Sequence, residues 1–207
     1  MALVQVLAGL ALASAPGRYD DAAPVAAVLS VGGGYAVPFG TLFKSDEIDV
    51  NNAMKGGFPV RAEVGVALWG HWHVVGYGEF AFLDRSQRCT PTADCTGNAL
   101  HLGAQIQYWG SGLRGWWAFI GLGGGWEKLS LDTQDTSFAF SGFEGKLTGA
   151  VLYFFGNVVG IGPYMDLGLG VYSHLDAVLG NGTGSETIRN QALHVWLTFG
   201  VRIDLWI

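Results

Sequence analysis

Charge, cysteine and proline are all scarce in this chain. Lysine, arginine, aspartate and glutamate make up 14% of the residues, and there are only 6 prolines and 2 cysteines. The net charge is −6 and the sequence has no cluster of basic residues, so nothing in it would neutralise a row of phosphates. Beyond the N-terminus, no apolar run reaches the roughly 18 residues of a membrane-spanning helix. The sequence therefore favours neither a nucleic-acid-binding protein nor a helical membrane protein.

Glycine and apolar residues are abundant instead. The chain has 33 glycines, and half of its residues are hydrophobic, which argues against disorder. Glycine recurs inside apolar segments such as VGGGYAV and FIGLGGGW, where each one would cost a helix about 1 kcal/mol. These segments are therefore predicted to be strands.

Residues 1–22 have the features of a secretory signal peptide. An apolar segment is followed by the small residues Ala13, Ser14 and Ala15. The basic residue that usually follows Met1 is missing, and Pro16 comes directly after the small residues. We predict a signal peptide, with an ordered N-terminal helix or a misplaced start as the alternatives. Residues 23–207 then form a single folded domain.

Eight segments alternate apolar and small or polar residues with a period of two, as strands do. They cover about residues 25–39, 58–69, 74–83, 99–109, 116–129, 143–155, 161–172 and 193–207. The phase of the fifth is left open, because both of its faces are apolar or glycine. Long polar loops and short turns alternate between the segments, which is typical of an up-and-down antiparallel transmembrane barrel. The predicted fold class is all-β, an eight-stranded antiparallel up-and-down transmembrane β-barrel.

The composition of the two faces predicts which one points inward. One face carries bulky leucine, valine, isoleucine and phenylalanine, whereas the other mixes glycine, alanine and threonine with single charges. A narrow lumen needs small residues around a few large polar ones, because eight strands leave room only for side chains. The charged face is therefore predicted to line the lumen. The predicted polar network consists of Arg61, Glu63, Glu79, His101, Glu127, Glu144, Lys146, Asp166, Arg202 and Asp204.

Aromatic residues are concentrated near the short turns and the C-terminus. Tryptophan and tyrosine favour the membrane–water interface, where an amphipathic ring is half in water. We therefore predict an interfacial girdle at the short-turn end of the barrel. Its predicted members are Trp69, Trp72, Tyr108, Trp109, Trp116, Trp117, Tyr153 and Trp206.

From about Val25 to Ile207 the chain resembles the small eight-stranded outer-membrane proteins of Gram-negative bacteria, of the OmpA and OmpW type. The resemblance rests on the strand count, the loop asymmetry, glycine-rich segments such as GPYMDLGLGVY and the alternating C-terminal strand. It implies a monomer in the outer membrane, surrounded by lipid, with both termini in the periplasm. It also implies that the assembly machinery reads the C-terminal strand. That strand usually ends on an aromatic residue in the family, and this chain departs by ending on Trp206–Ile207.

In the barrels that the chain resembles, charged lumen residues form a salt-bridge network that plugs the passage. The resemblance thus implies a structural or surface-interacting protein with a narrow, largely plugged lumen. A narrow cation-preferring pore or small-solute channel is the alternative, since the predicted lumen has six carboxylates against three cations. A soluble ligand-binding β-barrel is a third possibility.

Catalysis is not predicted. The His-x-Ser pattern of outer-membrane lipid A deacylases is missing, and Ser173 and His174 are adjacent, so they point to opposite faces of a strand. His71 and His73 are two residues apart, but no further metal ligands lie near them in the sequence. Neither a metal site nor a cofactor is predicted.

Cys89 and Cys95, in the polar segment RCTPTADCTG, suit a local disulfide formed in an oxidising compartment. We expect alkylation of the unfolded, unreduced protein to leave its mass unchanged, because both thiols are already joined. The same protein treated with reductant should gain two labels. Two labels without reductant would contradict the bridge.

Overall fold

The computed structural model describes residues 25–41, 54–68, 71–85, 96–111, 115–132, 136–156, 158–179, 182–188 and 191–207. Within these ranges there is no helix long and apolar enough to cross a bilayer. The predicted signal peptide, the predicted disulfide Cys89–Cys95 and the predicted girdle residue Trp69 lie outside the described residues.

The described residues form nine β-strands. They are β1 Val25–Gly40, β2 Met54–Leu68, β3 Trp72–Arg85, β4 Thr96–Ser111, β5 Trp116–Asp132, β6 Thr136–Phe155, β7 Val159–Leu179, β8 Gly182–Thr187 and β9 Leu193–Trp206. Every pairing is antiparallel, and each strand from β1 to β6 pairs with the next one along the chain. Strand β9 pairs with both β7 and β1 and so closes the barrel. Eight strands form the barrel wall, which confirms the predicted fold class.

Burial is inverted relative to a soluble barrel. Large apolar side chains point outward, with Leu122 70%, Phe143 68% and Val31 59% exposed, whereas Glu127 is 1% exposed and Asp204 is fully buried. Charged side chains are rarely buried in soluble proteins, and contiguous apolar surface of this kind marks contact with a membrane or a partner. The outer face is therefore suited to lipid and the inner face is polar, as predicted.

Strands β6 and β7 are much longer than a bilayer requires. They contain 20 and 21 residues, whereas a transmembrane strand needs about 9–11. On the outer face, the apolar positions of β5, β6 and β7 are followed toward the long loops by polar residues. These are Lys128, Ser141 and His174, which are register partners on the three adjacent strands. This polar row lies on the side opposite the short β6–β7 turn. The sheet therefore continues beyond the apolar zone at the long-loop end.

Two predicted loops are wrong in part. The segment DTQDTSFAFSG was predicted as a loop, but β6 begins at Thr136, and Phe138 and Phe140 pack into the interior. Their alternation is that of a strand, and polar neighbours hid it. The segment GNGTGSETIRNQ contains β8, which pairs with residues 174–179 of β7 above the point where the β7–β9 pairing ends. Among the described strands β8 has only β7 as a partner.

The seam between β1 and β9 depends on a pair of glycines that lie opposite each other, Gly34 and Gly200. A Cβ atom on Gly34 would lie 2.1 Å from the carbonyl oxygen of Phe199, and one on Gly200 would lie 2.3 Å from that of Gly33. Both distances are far below van der Waals contact. Glycine is thus required here for the two strands to approach closely enough to close the barrel.

We expect Gly34→Ala to lower the free energy of unfolding by about 1–3 kcal/mol, the usual cost of overpacking. Gly145→Ala is the matched control, because its Cβ would meet nothing nearer than 4.0 Å. Urea titration of the barrel folded in detergent, followed by heat-dependent gel mobility, measures both. Equal stability of the two variants would contradict the close approach at the seam.

Candidate functional site in the barrel interior

The structure brings all ten residues of the predicted polar network into the barrel interior. Each of them is 5% exposed or less. They come from β2, β3, β4, β5, β6, β7 and β9, and they occupy the middle of the barrel. Six carboxylates thus share a buried layer with two arginines, one lysine and one histidine of the predicted set.

Two arginines organise the half of this layer nearer the short turns. Arg61 Nε lies 2.8 Å from Glu63 Oε1, and Arg61 Nη1 donates to Asp166 at 2.5 Å. Arg202 Nη2 lies 3.1 Å from Glu63 Oε2, and its Nε donates to Asp204 at 2.8 Å. We call these five residues the arginine network. Buried charges of this kind are tolerated only when paired, and here each arginine has two carboxylates.

Uncharged side chains complete the arginine network. Gln107 Nε2 donates to Glu63 at 3.0 Å, and Gln105 Nε2 lies at 3.4 Å from the same carboxylate. Arg202 also donates to the Ser30 hydroxyl at 2.8 Å. A water-sized cavity of about 10 Å³ is lined by Ser30, Gly32, Arg61, Glu63, Tyr164 and Arg202. This space holds about one water molecule and is too small for a solute.

Tyr77 joins the arginine network to the rest of the polar layer. The guanidinium carbon of Arg61 lies 4.7 Å from the centre of its ring, and Lys146 Nζ lies 4.8 Å from it. Its hydroxyl donates to Glu144 Oε1 at 2.8 Å. Lys146 in turn donates to Glu79 at 3.2 Å. An aromatic ring between two cations is favourable because the cations face its π-electrons.

The remaining charged residues form what we call the histidine–glutamate cluster, made of His101, Glu127, Glu144 and His194. His101 Nδ1 lies 2.9 Å from Glu144 Oε2 and 3.7 Å from Glu127 Oε2. His194 Nε2 is in close contact with Glu127 Oε1. The ligand atoms of His101, Glu127 and Glu144 all lie within 4.8 Å of one another.

The interior on the short-turn side of the polar layer is filled by aromatic rings. Trp109 packs on Phe119 at 4.5 Å and on Trp206 at 5.2 Å between ring centres, and Phe154 packs on Trp206 at 4.5 Å. The imidazole of His73 stacks on Trp109 at 5.0 Å. We call these five residues the aromatic layer.

This layer corrects the predicted girdle. Trp109 and Trp206 are 0% and 4% exposed, and Trp117 packs on Trp206 at 5.7 Å, so all three point into the barrel. Their strand neighbours Tyr108 and Trp116 point outward, as alternation requires. Trp206 lies four residues after Arg202 in the same strand, so the alternation of side chains already placed it on the inner face. We call this odd or even position within a strand the parity of a residue. The prediction grouped aromatic residues by distance from a turn and ignored their parity.

Four of the predicted girdle residues do lie on the outer face at the short-turn end. Trp72 and Tyr108 are register partners with ring centres 5.0 Å apart, and Trp116 and Tyr153 are partners at 5.3 Å. Their exposed fractions range from 36% to 49%. Such cross-strand aromatic pairs stabilise adjacent strands.

A second apolar layer lies on the long-loop side of the polar layer, and the sequence did not predict it. Its buried members are Ala36, Met54, Ala81, Ala99, Leu129, Phe140, Tyr172, Ile188 and Trp196. Leu83, Leu131, Phe138 and Leu175 pack against them. We call these residues the loop-side layer. Several belong to segments that the sequence pattern assigned to loops, which is why the layer was missed.

Sequence reasoning also missed His194, Tyr77, Gln105 and Gln107 as members of the polar network. Each lies at an inward position of a correctly phased strand, so parity alone would have found them. The predicted network was chosen by charge, and neutral polar side chains were therefore left out of it. Their contacts with Glu63, Glu127 and Glu144 could not be read from the sequence.

No protein-family model matches this chain, and no curated protein matches it. Solved structures do resemble it. A major outer membrane protein from Thermus thermophilus superposes with a TM-score of 0.62 at 12% identity, over 88% of this chain and 99% of that one. AlkL, determined by solid-state NMR in DMPC lipid bilayers, gives 0.53 at 11% identity, over 93% and 94%. Neisserial surface protein A gives 0.49 at 14% identity, over 85% and 95%.

At these identities the likeness concerns the fold. The likeness to the Thermus protein and to AlkL, together with the closed sheet, the outward apolar face and the buried charges, shows that the chain has the β-barrel architecture of outer-membrane proteins. This agrees with the predicted resemblance and with the predicted location in an outer membrane. The comparisons assign no chemistry to the interior.

We expect Arg202→Met to lower the free energy of unfolding by about 3–5 kcal/mol, because it leaves Asp204 and part of Glu63 buried without a cation. Lys128→Met is the matched control, since Lys128 is exposed on the outer face. Equilibrium urea unfolding in lipid vesicles measures both. A loss for Arg202→Met no larger than for Lys128→Met would show that the arginine network adds no stability.

Proposed function

We propose that this protein is an integral outer-membrane barrel whose lumen is closed to solutes, with a structural role or a role in contacts at its outer surface. One observation carries the proposal: the charged middle of the barrel has apolar side chains packed across it on both sides. A solute would have to displace the aromatic layer and the loop-side layer as well as separate the ion pairs.

The alternative is a narrow cation-preferring pore. The excess of carboxylates in the interior favours it, because six carboxylates face three lysine and arginine side chains there. Against it, Trp109 is fully buried at one end and Leu129 is 1% exposed at the other. Dry apolar constrictions oppose ion passage because an ion cannot keep its water shell there.

The long-loop end is the part of the molecule available to partners outside the membrane. The extended hairpin of β6 and β7 and the added strand β8 project there, and every residue of β8 is exposed. Strand β8 has no second neighbour within the described part of the chain, so its backbone groups along that edge are open to pairing. These features support a surface-interacting role.

The proposed partners within the membrane are lipid and the outer-membrane assembly machinery. The outward residues Phe199, Val201 and Ile203 of β9 are 49–55% exposed and form part of the apolar face that lipid would cover. The assembly machinery would read the same strand. We propose a monomer, with residues 23–207 as the barrel domain. Catalysis is not part of the proposed function.

In planar bilayers we expect the purified barrel to give no conductance steps, because both apolar layers cross its interior. A variant with Trp109→Ala and Trp196→Ala should give cation-selective steps, since each layer loses a tryptophan ring and the carboxylates remain. Trp72→Ala, which removes an outward ring, is the control and should stay silent.

Conductance steps from the unaltered protein would contradict the closed lumen. If their selectivity also changed on Glu63→Gln, the ions would be passing the arginine network, and the pore would be the correct function. Heat-dependent gel mobility of each preparation verifies that it is folded before it is added to the bilayer.

A further inference from the structure

We infer that the histidine–glutamate cluster is a binding site for one divalent transition-metal ion of the zinc type, bound by His101, Glu127, Glu144 and His194. The ion would link four strands, β4, β5, β6 and β9, inside the barrel. This inference concerns the stability of the folded barrel and stands independently of whether the lumen conducts.

The spacing of the ligand atoms fits such an ion. Zinc binds histidine nitrogen and carboxylate oxygen at about 2.1 Å, so neighbouring ligand atoms of a tetrahedral site lie about 3.4 Å apart. His101 Nδ1 lies 2.9 Å from Glu144 Oε2 and 3.7 Å from Glu127 Oε2. His194 Nε2 points at the same Glu127 carboxylate from β9. The ligand atoms of His101, Glu127 and Glu144 lie within 4.8 Å of one another, and a bound ion would draw them and His194 Nε2 toward the spacing of a tetrahedral site.

Glu127 faces two imidazoles but makes no hydrogen bond of acceptable geometry. Within the described residues, neither of its oxygens accepts a hydrogen bond, and neither nitrogen of His194 takes part in one. Both residues are 1% exposed. Buried polar atoms are nearly always hydrogen-bonded, and an unsatisfied one costs about 1–3 kcal/mol. A metal ion would satisfy Glu127 Oε1 and His194 Nε2 together.

The negative charge of the carboxylates around the cluster also favours a bound cation. Glu79, Glu127 and Glu144 lie in this half of the polar layer, and Lys146 is its only lysine or arginine among the described buried residues. Two negative charges are therefore left without a permanent counterion. A divalent ion balances them, and two imidazole ligands favour a transition metal over calcium or magnesium, which take oxygen ligands.

Neighbouring residues hold the ligands in place. A Cβ atom on Gly170 would lie 2.4 Å from His194 Nε2 and 2.6 Å from Glu127 Oε1, so glycine is what leaves room for these two side chains to meet. The ring of Tyr172 stacks on His194 at 4.1 Å. Tyr77 donates to Glu144 Oε1, which leaves Oε2 for the ion. Outer partners of this kind orient metal ligands and raise affinity.

The test is to refold the full chain into detergent with Zn²⁺ or with a chelator, remove unbound metal and measure zinc by mass spectrometry. We expect about one zinc per chain after refolding with Zn²⁺ and a higher urea midpoint than in the chelated sample, because the ion binds only the folded state. Glu127→Gln and His194→Asn should each reduce retained zinc at least tenfold. Asp166→Asn, which changes a carboxylate of the same polar layer that pairs with Arg61 in the other half, is the control and should retain it.

Two results would overturn the site. One is unaltered protein that retains no zinc and unfolds at the same urea concentration with or without it. The other is equal zinc retention by Glu127→Gln and Asp166→Asn. If a variant does not fold by heat-dependent gel mobility, the absorption spectrum of the unaltered barrel refolded with Co²⁺ is the deciding measurement, because four-coordinate ligation gives much stronger visible bands than hydrated Co²⁺ does.

Discussion

Glu63 pairs with both Arg61 and Arg202, and the rest of the interior depends on this double ion pair. Arg61 also reaches Asp166 on β7, and Arg202 lies on β9, so the arginine network connects β2 to two strands with which it does not pair in the sheet. A slip of one residue in any of these strands would turn its charges toward lipid, because side chains alternate between faces. The network therefore fixes strand register as well as balancing charge.

The two apolar layers determine how strong these ion pairs are. They pack against the polar layer from both sides, and low local polarity strengthens a satisfied hydrogen-bond network while making an unsatisfied group more costly. Trp109 connects the two environments, because its ring packs in the aromatic layer while its Nε1 donates to Gln107 Oε1 at 3.0 Å. Gln107 in turn donates to Glu63. The apolar and polar parts of the interior thus form one packed unit.

Most of the barrel could be predicted from parity. Alternation placed Val31 and Ile203 outside and Glu79 and Arg202 inside, and a narrow lumen explains why the charged face is rich in glycine. The same rule would have placed Trp109 and Trp206 inside, had it been applied to aromatic residues as it was to charges. Strand β8 was not predictable in this way, because its segment is polar and forms a strand only by pairing with β7. The approach of His101 and His194 to the same Glu127 depends on barrel closure, which no linear spacing records.

The charges of the interior are balanced differently in its two halves. In the arginine network, guanidinium groups stay charged at any physiological pH, so the pairing of Glu63 there is permanent. In the other half, Lys146 pairs with Glu79, and the groups that face Glu127 are imidazoles. An imidazole carries a charge only when protonated and otherwise offers a lone pair to a metal. A lysine at position 101 or 194 would have neutralised Glu127 permanently, whereas histidine makes that neutralisation depend on a proton or a metal ion from outside. The half of the barrel nearer the long loops is thus the half whose stability is sensitive to its surroundings.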